Sequence, residues 1–245
     1  PYRFAGRLWL ISDGQAQRGI YDADGRLLRF EIDTPPDEFL GQLATETGAL
    51  LASGRRGLYR RDEDTWRLDV PGLVNPHVST APNAHGRWAF VAEGAAGWLR
   101  PRGTGYEVAA TPAPEIGSIY GAIRDAHGVL WAELGVARVA RIELTAGTPR
   151  IEVFGPAAGL EGGWAQLTVL EGELRANVRG TLLRFDAQGR RFAPDTAFHR
   201  ALPDTFEIVG RPCLDARGIL WVGTAAIPRL FARQGADYDE LDVPF

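Results

Sequence analysis

Asp125-Ala126-His127-Gly128-Val129-Leu130-Trp131 and Asp215-Ala216-Arg217-Gly218-Ile219-Leu220-Trp221 are two copies of one phrase, a tight turn closed by glycine and then an apolar strand ending in tryptophan. In such a turn, Asp at the first position can accept a hydrogen bond from the backbone amide two residues on. Gly at the fourth tolerates the positive φ that closes it. Asn83-Ala84-His85-Gly86 keeps that logic with Asn, Thr45-Glu46-Thr47-Gly48 keeps only the glycine, and Arg7-Leu8-Trp9 repeats the end of the phrase. Counted by their glycines, Gly6, Gly48, Gly86, Gly128, Gly172 and Gly218, the copies follow one another 38 to 46 residues apart. A repeat of about 40 to 45 residues made of strands and turns marks the blades of a β-propeller. The predicted fold is therefore all-β, a single propeller domain over 1–245 with six visible four-stranded blades near 1–33, 38–70, 77–109, 117–154, 164–193 and 206–243.

Each unit reads as strands A to D, numbered from the propeller axis outwards. The fourth shows them best, with Ser118 to Arg124 as strand A, Val129 to Glu133 as B, Ala137 to Glu143 as C and Arg150 to Phe154 as D. Strand B is apolar on both faces, as in Ile219-Leu220-Trp221-Val222, because a blade is covered by a neighbour on either side. That places Trp9, Trp131 and Trp221 in the core between blades; Leu51 and Arg175 hold the same slot in the second and fifth units. Strand C carries its own phrase, Gly-aliphatic-aromatic-Arg, at Gly57-Leu58-Tyr59-Arg60 and, loosely, at Gly97-Trp98-Leu99-Arg100. Only Pro1 to Ala5 precede the first strand B, too few residues for a strand A with a four-residue turn. The expectation is a first blade without its inner strand, and a chain that is a slice of a seven-bladed or longer propeller.

A propeller is a scaffold for many unrelated activities, so composition has to narrow the role. A net charge of −4 and a pI near 5.7 argue against a nucleic-acid groove, which needs a clustered basic face. Cys213 stands alone, which excludes an internal disulfide and leaves the compartment open. All 27 basic residues are Arg, and the absence of Lys and Met fits a base-composition bias. No run of 18 apolar residues occurs, so no segment reads as a membrane-spanning helix.

Asp-x-x-Gly-Ile-Leu-Trp-Val-Gly-Thr at Asp215 to Thr224 and Gly-Leu-Tyr-Arg at Gly57 to Arg60 resemble the two-component regulator propeller repeat. The resemblance runs through all six units, strongly in the second, fourth and sixth, and departs from the family pattern at Ala132-Glu133 and at Ala225-Ala226-Ile227-Pro228. It implies a periplasmic or extracellular sensor domain of a membrane-bound histidine kinase or diguanylate cyclase. Such a domain binds a ligand, commonly a carbohydrate, or helps the larger parent protein dimerise. Neither nucleic acid nor membrane is an expected partner of this segment. Leu130-Trp131-Ala132-Glu133 and Ala140-Arg141-Ile142 are also similar to the repeats of streptogramin lyases, seven-bladed enzymes that use a divalent metal with His and Glu. Their His-bearing catalytic segment is not recognisable here.

The shared residues are turn and core residues, so a site has to be sought elsewhere. His85 and His127 occupy the same turn position in consecutive units, but no carboxylate or Cys accompanies them at ligand spacing, and no metal or other cofactor is expected. Asp22-Ala23-Asp24-Gly25 starts like a calcium loop and lacks the later oxygen ligands, which makes it an ordinary turn. No nucleophile elbow, phosphate loop or catalytic Cys setting appears, so the chain reads as non-enzymatic. The B–C and D–A loops share one end of every blade, and they hold Arg55, Arg56, Asn75, His77, Glu93, Tyr120, Glu133, Trp164 and Arg179. Aromatic faces mixed with planar hydrogen-bonding groups suit a polar ligand such as a sugar. Trp164 leads the candidates because Gly162-Gly163 ahead of it suggests an irregular loop in which a tryptophan has no core to fill.

Overall fold

A computed structural model describes residues 2–35, 40–46, 49–62, 64–79, 82–83, 85–144, 149–200, 207–215, 217–224, 229–234 and 237–241. The turn glycine Gly48 and the stretch 225–228 lie outside the described residues. Six four-stranded sheets follow one another along the chain, each with its strands side by side in chain order, and the fold is an all-β propeller. The first blade is β1 (Tyr2–Phe4), β2 (Arg7–Ser12), β3 (Gln15–Tyr21) and β4 (Leu27–Ile32). The second is β5 (Leu40–Glu46), β6 (Ala49–Gly54), β7 (Gly57–Asp62) and β8 (Thr65–Pro71). The third is β9 (His77–Val78), β10 (Trp88–Ala92), β11 (Ala95–Arg102) and β12 (Gly105–Pro112). The fourth is β13 (Gly121–Arg124), β14 (Leu130–Glu133), β15 (Val139–Glu143) and β16 (Arg150–Phe154). β17 (Ala165–Leu170), β18 (Glu173–Val178), β19 (Thr181–Asp186) and β20 (Arg191–Pro194) make the fifth. The sixth follows a short helix, α1 (Thr196–Arg200), and is β21 (Cys213–Leu214), β22 (Leu220–Val222), β23 (Arg229–Gln234) and β24 (Asp237–Glu240).

The first blade has the inner strand that its short leader argued against. β1 pairs with β2 through Phe4↔Arg7 and Tyr2↔Trp9, leaving only Ala5 and Gly6 to turn the chain. Both have positive φ, 48° and 73°, which is the two-residue hairpin whose twist matches that of its strands. A shorter turn, not a missing strand, accounts for the short leader.

Two compact units divide the chain, Pro1–Ala122 with Leu144–Arg150, and Ile123–Glu143 with Ile151–Phe245. In the first, Leu50 and Ala52 pack with Trp9, Ala16 and Tyr59, while Leu51 packs with Leu58, Val78, Trp88 and Phe90. Neighbouring residues of β6 thus serve opposite faces, as the period of a strand requires, and all of β6 is buried. In the second unit Trp131 sits among Phe154 of its own blade and Phe185 and Phe192 of the next, with ring centroids 4.9 to 6.4 Å away. Strand C carries a glycine near its start in the second and third blades for a steric reason. A Cβ on Gly57 would lie 2.0 Å from the Val70 carbonyl oxygen, and one on Gly97 would lie 2.0 Å from that of Ala109.

The repeated Asp and Trp turn out to be bonded to each other. Asp125 Oδ1 accepts the amides of His127 and Val129, at 2.9 and 3.0 Å, and its Oδ2 accepts the Trp131 indole N–H at 2.9 Å. Asp215 repeats all three bonds, to Arg217, Ile219 and the Trp221 indole. Asn83 makes the two amide bonds alone. Trp9 has no turn carboxylate before it, and its buried Nε1 is without a hydrogen-bond partner among the described residues. Burial separates these tryptophans. Trp9 and Trp131 are core, whereas Trp221 is 38% exposed and corrects the expectation that all three would be. In the fifth blade the slot holds Arg175, buried and paired at 2.6 Å with Asp195, whose Oδ1 also accepts the Phe198 amide of α1. Burial opposes the Asp195 charge, but the Arg175 bond, the Phe198 amide and the charges of Arg175 and Arg184 hold the carboxyl below the usual range.

The turn carboxylates give a stability test. Asp125→Ala strips a buried indole and two amides of their acceptor and is expected to cost about 2–4 kcal/mol in denaturant unfolding. Asp215 is held below the ordinary carboxylate range by the Ile219 amide first; desolvation opposes this, and the Arg217 amide, the Trp221 indole and the Arg217 charge add to it. A depressed folded pKa stabilises above the unfolded value. The smaller loss in Asp215→Ala should therefore be complete near neutral pH and shrink as pH falls below about 4. Equal losses at both sites, or a loss at Asp215 that grows in acid, would contradict this.

Candidate functional site

In an up-and-down blade the B–C and D–A connections lie at one end, and backbone hydrogen bonds tie them together from blade to blade. In the first unit the Asn75 amide donates to the Gly54 carbonyl, Glu93 to Val74 and Gly94 to Ile116. In the second, Ala137 donates to Gly163, Ile208 to Gly180 and Val209 to Gly223. The loops that carry the candidate residues are thus extensions of the sheets.

The first unit holds five of the loop candidates, and backbone bonds join the turns of four of them, Arg55, Arg56, Asn75 and Glu93. Arg55 and Arg56 are exposed in the turn between β6 and β7, and the Arg56 carbonyl accepts the Gly72 amide. Asn75 has φ of 47°, and its Nδ2 donates to Glu93 Oε1 at 2.8 Å. Tyr120, 53% exposed, stands just ahead of β13. His77 does not belong to this surface. It lies inside β9 opposite Val91 and is buried, because the short strand begins one residue earlier than a loop assignment allows.

The second unit holds Glu133, Trp164 and Arg179. Trp164 forms an isolated antiparallel bridge with Val136, and both side chains are open to solvent, at 49% and 57%. Arg179 occupies a two-residue turn with Gly180 at φ of 51° and 79°. Its side chain lies against Gly162 and Gly163, where an added Cβ would fall 2.8 and 2.6 Å from it. The two glycines that suggested an irregular loop exist to let this arginine cover the backbone leading into Trp164. Glu133 is buried, and a ligand would not reach it directly. Its Oε1 accepts the Leu167 amide at 2.7 Å and Arg211 Nε at 3.2 Å, and its Oε2 accepts Arg211 Nη2 at 2.6 Å. The half-exposed Arg211 guanidinium is the group that reaches solvent.

Sequence reasoning missed Val136, Val209 and Arg211. The last two lie in the segment entering β21, where the Asn177 amide nitrogen donates to the carbonyls of Ile208 and Gly210, at 3.0 and 2.8 Å. A signal was present: Gly210-Arg211-Pro212 places an arginine between a glycine and a proline just ahead of an inner strand. Nothing in the sequence ties it to Glu133, 78 residues earlier. Among the described residues, no three His, Cys, Asp or Glu side chains gather as a metal site would require. No helix among them is long and apolar enough to cross a membrane.

These features define a propeller with one polar and aromatic loop end, and comparison with solved structures agrees on the fold. The chain is similar to the extracellular domain of the putative hybrid two-component system BT3049 from B. thetaiotaomicron, with a TM-score of 0.58 and 16% identity over 94% of this chain. It spans 32% of that chain, about a third of its length. It is similar to virginiamycin B lyase from Staphylococcus aureus, at 0.59 and 17% over 91% of this chain and 75% of the other. YCF48 bound to D1 peptide gives 0.55 and 15% over 94% and 75%. At these identities the likeness is one of fold. No protein-family model matches the chain, and no curated protein matches it.

The Glu133–Arg211 pair yields a measurable coupling. In a double-mutant cycle with Glu133→Leu and Arg211→Leu, the interaction energy is expected at about 1–3 kcal/mol, since one partner is fully desolvated. A value below about 0.5 kcal/mol would mark it as an ordinary surface pair.

Proposed function

We propose that this chain is a ligand-sensing propeller module of an envelope signal-transduction protein, binding a polar ligand at the B–C and D–A end of its blades. The observation that carries the reading is Trp164, an aromatic residue half open to solvent whose backbone is held by its bridge to Val136 and by the arginine-covered glycines before it. An indole held open in this way supplies a stacking surface at little entropic cost to binding. The repeat phrase of the two-component regulator family and the likeness to a two-component extracellular domain support the signalling context and the placement outside the cytoplasm. A second reading is a scaffold for a protein partner. It is favoured by the exposed Val136 and Val209 beside Trp164 and by the likeness to a propeller bound to a peptide.

A thermal-shift screen against neutral and acidic oligosaccharides tests the proposal. A ligand at 100 times its Kd stabilises by about 2.7 kcal/mol, a rise of roughly 5–10 °C for a chain of this size. Trp164→Ala should abolish the shift while leaving the ligand-free Tm nearly unchanged. The likeness to streptogramin lyases makes it useful to recover the ligand afterwards, which a sensor returns intact and a lyase does not. No shift with any saccharide would favour the scaffold.

A further inference from the structure

The arginine that sequence reasoning missed is the best-prepared recognition group on this surface. A guanidinium has five N–H donors in a rigid fork. On Arg211, Nε–H and one Nη2–H are taken by Glu133. The two N–H groups on Nη1 and the second on Nη2 have no partner among the described residues, and the side chain is 47% exposed. The guanidinium is therefore clamped along one edge and open along the other.

The clamp is costly for a merely structural device. Burying a carboxylate costs several kcal/mol of lost hydration, and the Leu167 amide could be satisfied by an uncharged glutamine. A buried charge does something that glutamine would not, because it fixes a solvent-facing arginine in one orientation before any ligand arrives. The pair sits on a shared framework. Leu167 lies three residues beyond Trp164 on the same extended chain, about 10 Å along it. Arg211 follows Val209, 50% exposed, whose backbone is tied to the β22–β23 loop through Gly223. An oriented donor edge thus shares one loop end with an open indole and two exposed valines. Among the described residues of these loops, the exposed Arg138 and Arg179 are matched in number by Glu161 and Glu207. Selection of an acidic group rests on the directed edge of Arg211, not on a general positive field.

We propose that Arg211 is a carboxylate anchor: its free edge takes the two oxygens of a ligand carboxylate, and Trp164 and the valines take the body attached to it. This deepens the ligand-binding reading above and rests on it. A carboxylate in this setting comes from an acidic saccharide or from the C-terminus of a peptide.

Isothermal titration of the intact chain separates these outcomes. The probes are trigalacturonate, neutral maltotriose, and the tripeptide Gly-Gly-Val as free acid and as C-terminal amide. The proteins are wild type, Arg211→Gln, Arg211→Lys, and the double variant Glu133→Gln/Arg211→Gln, which leaves no unpaired buried charge if the single variant folds poorly. At least one carboxylate probe should bind wild type roughly tenfold or more tighter than its uncharged counterpart. That preference should be lost in Arg211→Gln and in the double variant, and only partly restored by lysine, which lacks the fork. Trigalacturonate as the binder identifies an acidic saccharide, and the free-acid tripeptide identifies a chain terminus. Maltotriose binding as tightly as trigalacturonate, and unchanged by Arg211→Gln, would overturn the anchor and leave the binding surface standing. Failure of both carboxylate probes would also overturn it. The broader reading fails separately, when no saccharide in the thermal-shift screen gives a response that Trp164→Ala removes.

Discussion

The second strands of the second, third and fourth blades are buried along their whole length, and this two-sided cover constrains everything built around them. Leu50 and Leu51 face opposite neighbours, and Trp131 reaches across into the phenylalanines of the following blade. A strand buried on both sides has no surface left for chemistry. The proposed recognition is therefore placed at the ends of the blades, where the order of strands along the chain decides which loops meet.

The loop end is firm because it is made of backbone. Among the described residues, the B–C turns of the second to sixth blades share main-chain hydrogen bonds with a segment entering an inner strand, so side chains such as Asn75, Trp164 and Arg211 stand on a hydrogen-bonded framework. Binding residues placed in this way have little ordering left to do when a ligand arrives, which is how a scaffold of fixed design can be given a new specificity by changing loops.

The period of the fold was open to view in the sequence, since turn glycines and two-faced apolar strands leave a one-dimensional trace. The inner strand of the first blade was not, because Ala5-Gly6 turns the chain in two residues, as Glu171-Gly172 does in the fifth blade, where the copy at Asp125 uses four. The bond from Asp125 to Trp131 is visible only as a spacing of six, because a turn carboxylate and a strand tryptophan carry separate local signals and their pairing shows only in the fold. The loop candidates were legible as a set, though not by role. His77 is a buried strand residue and Glu133 a buried clamp, and Arg211 acquires its meaning only from a carboxylate 78 residues away. Long-range pairs of this kind leave no local pattern.

The central claim is that the B–C and D–A loop end of the blades is as firmly built as the sheets beneath it. Native-state hydrogen exchange of the Ala137, Leu167 and Ile208 amides measures this directly, because these N–H groups bond to Gly163, Glu133 and Gly180 across blade boundaries. They should exchange only through openings close in free energy to global unfolding, like the amides of β14 and β18. Exchange at the rate of an open loop would contradict the account.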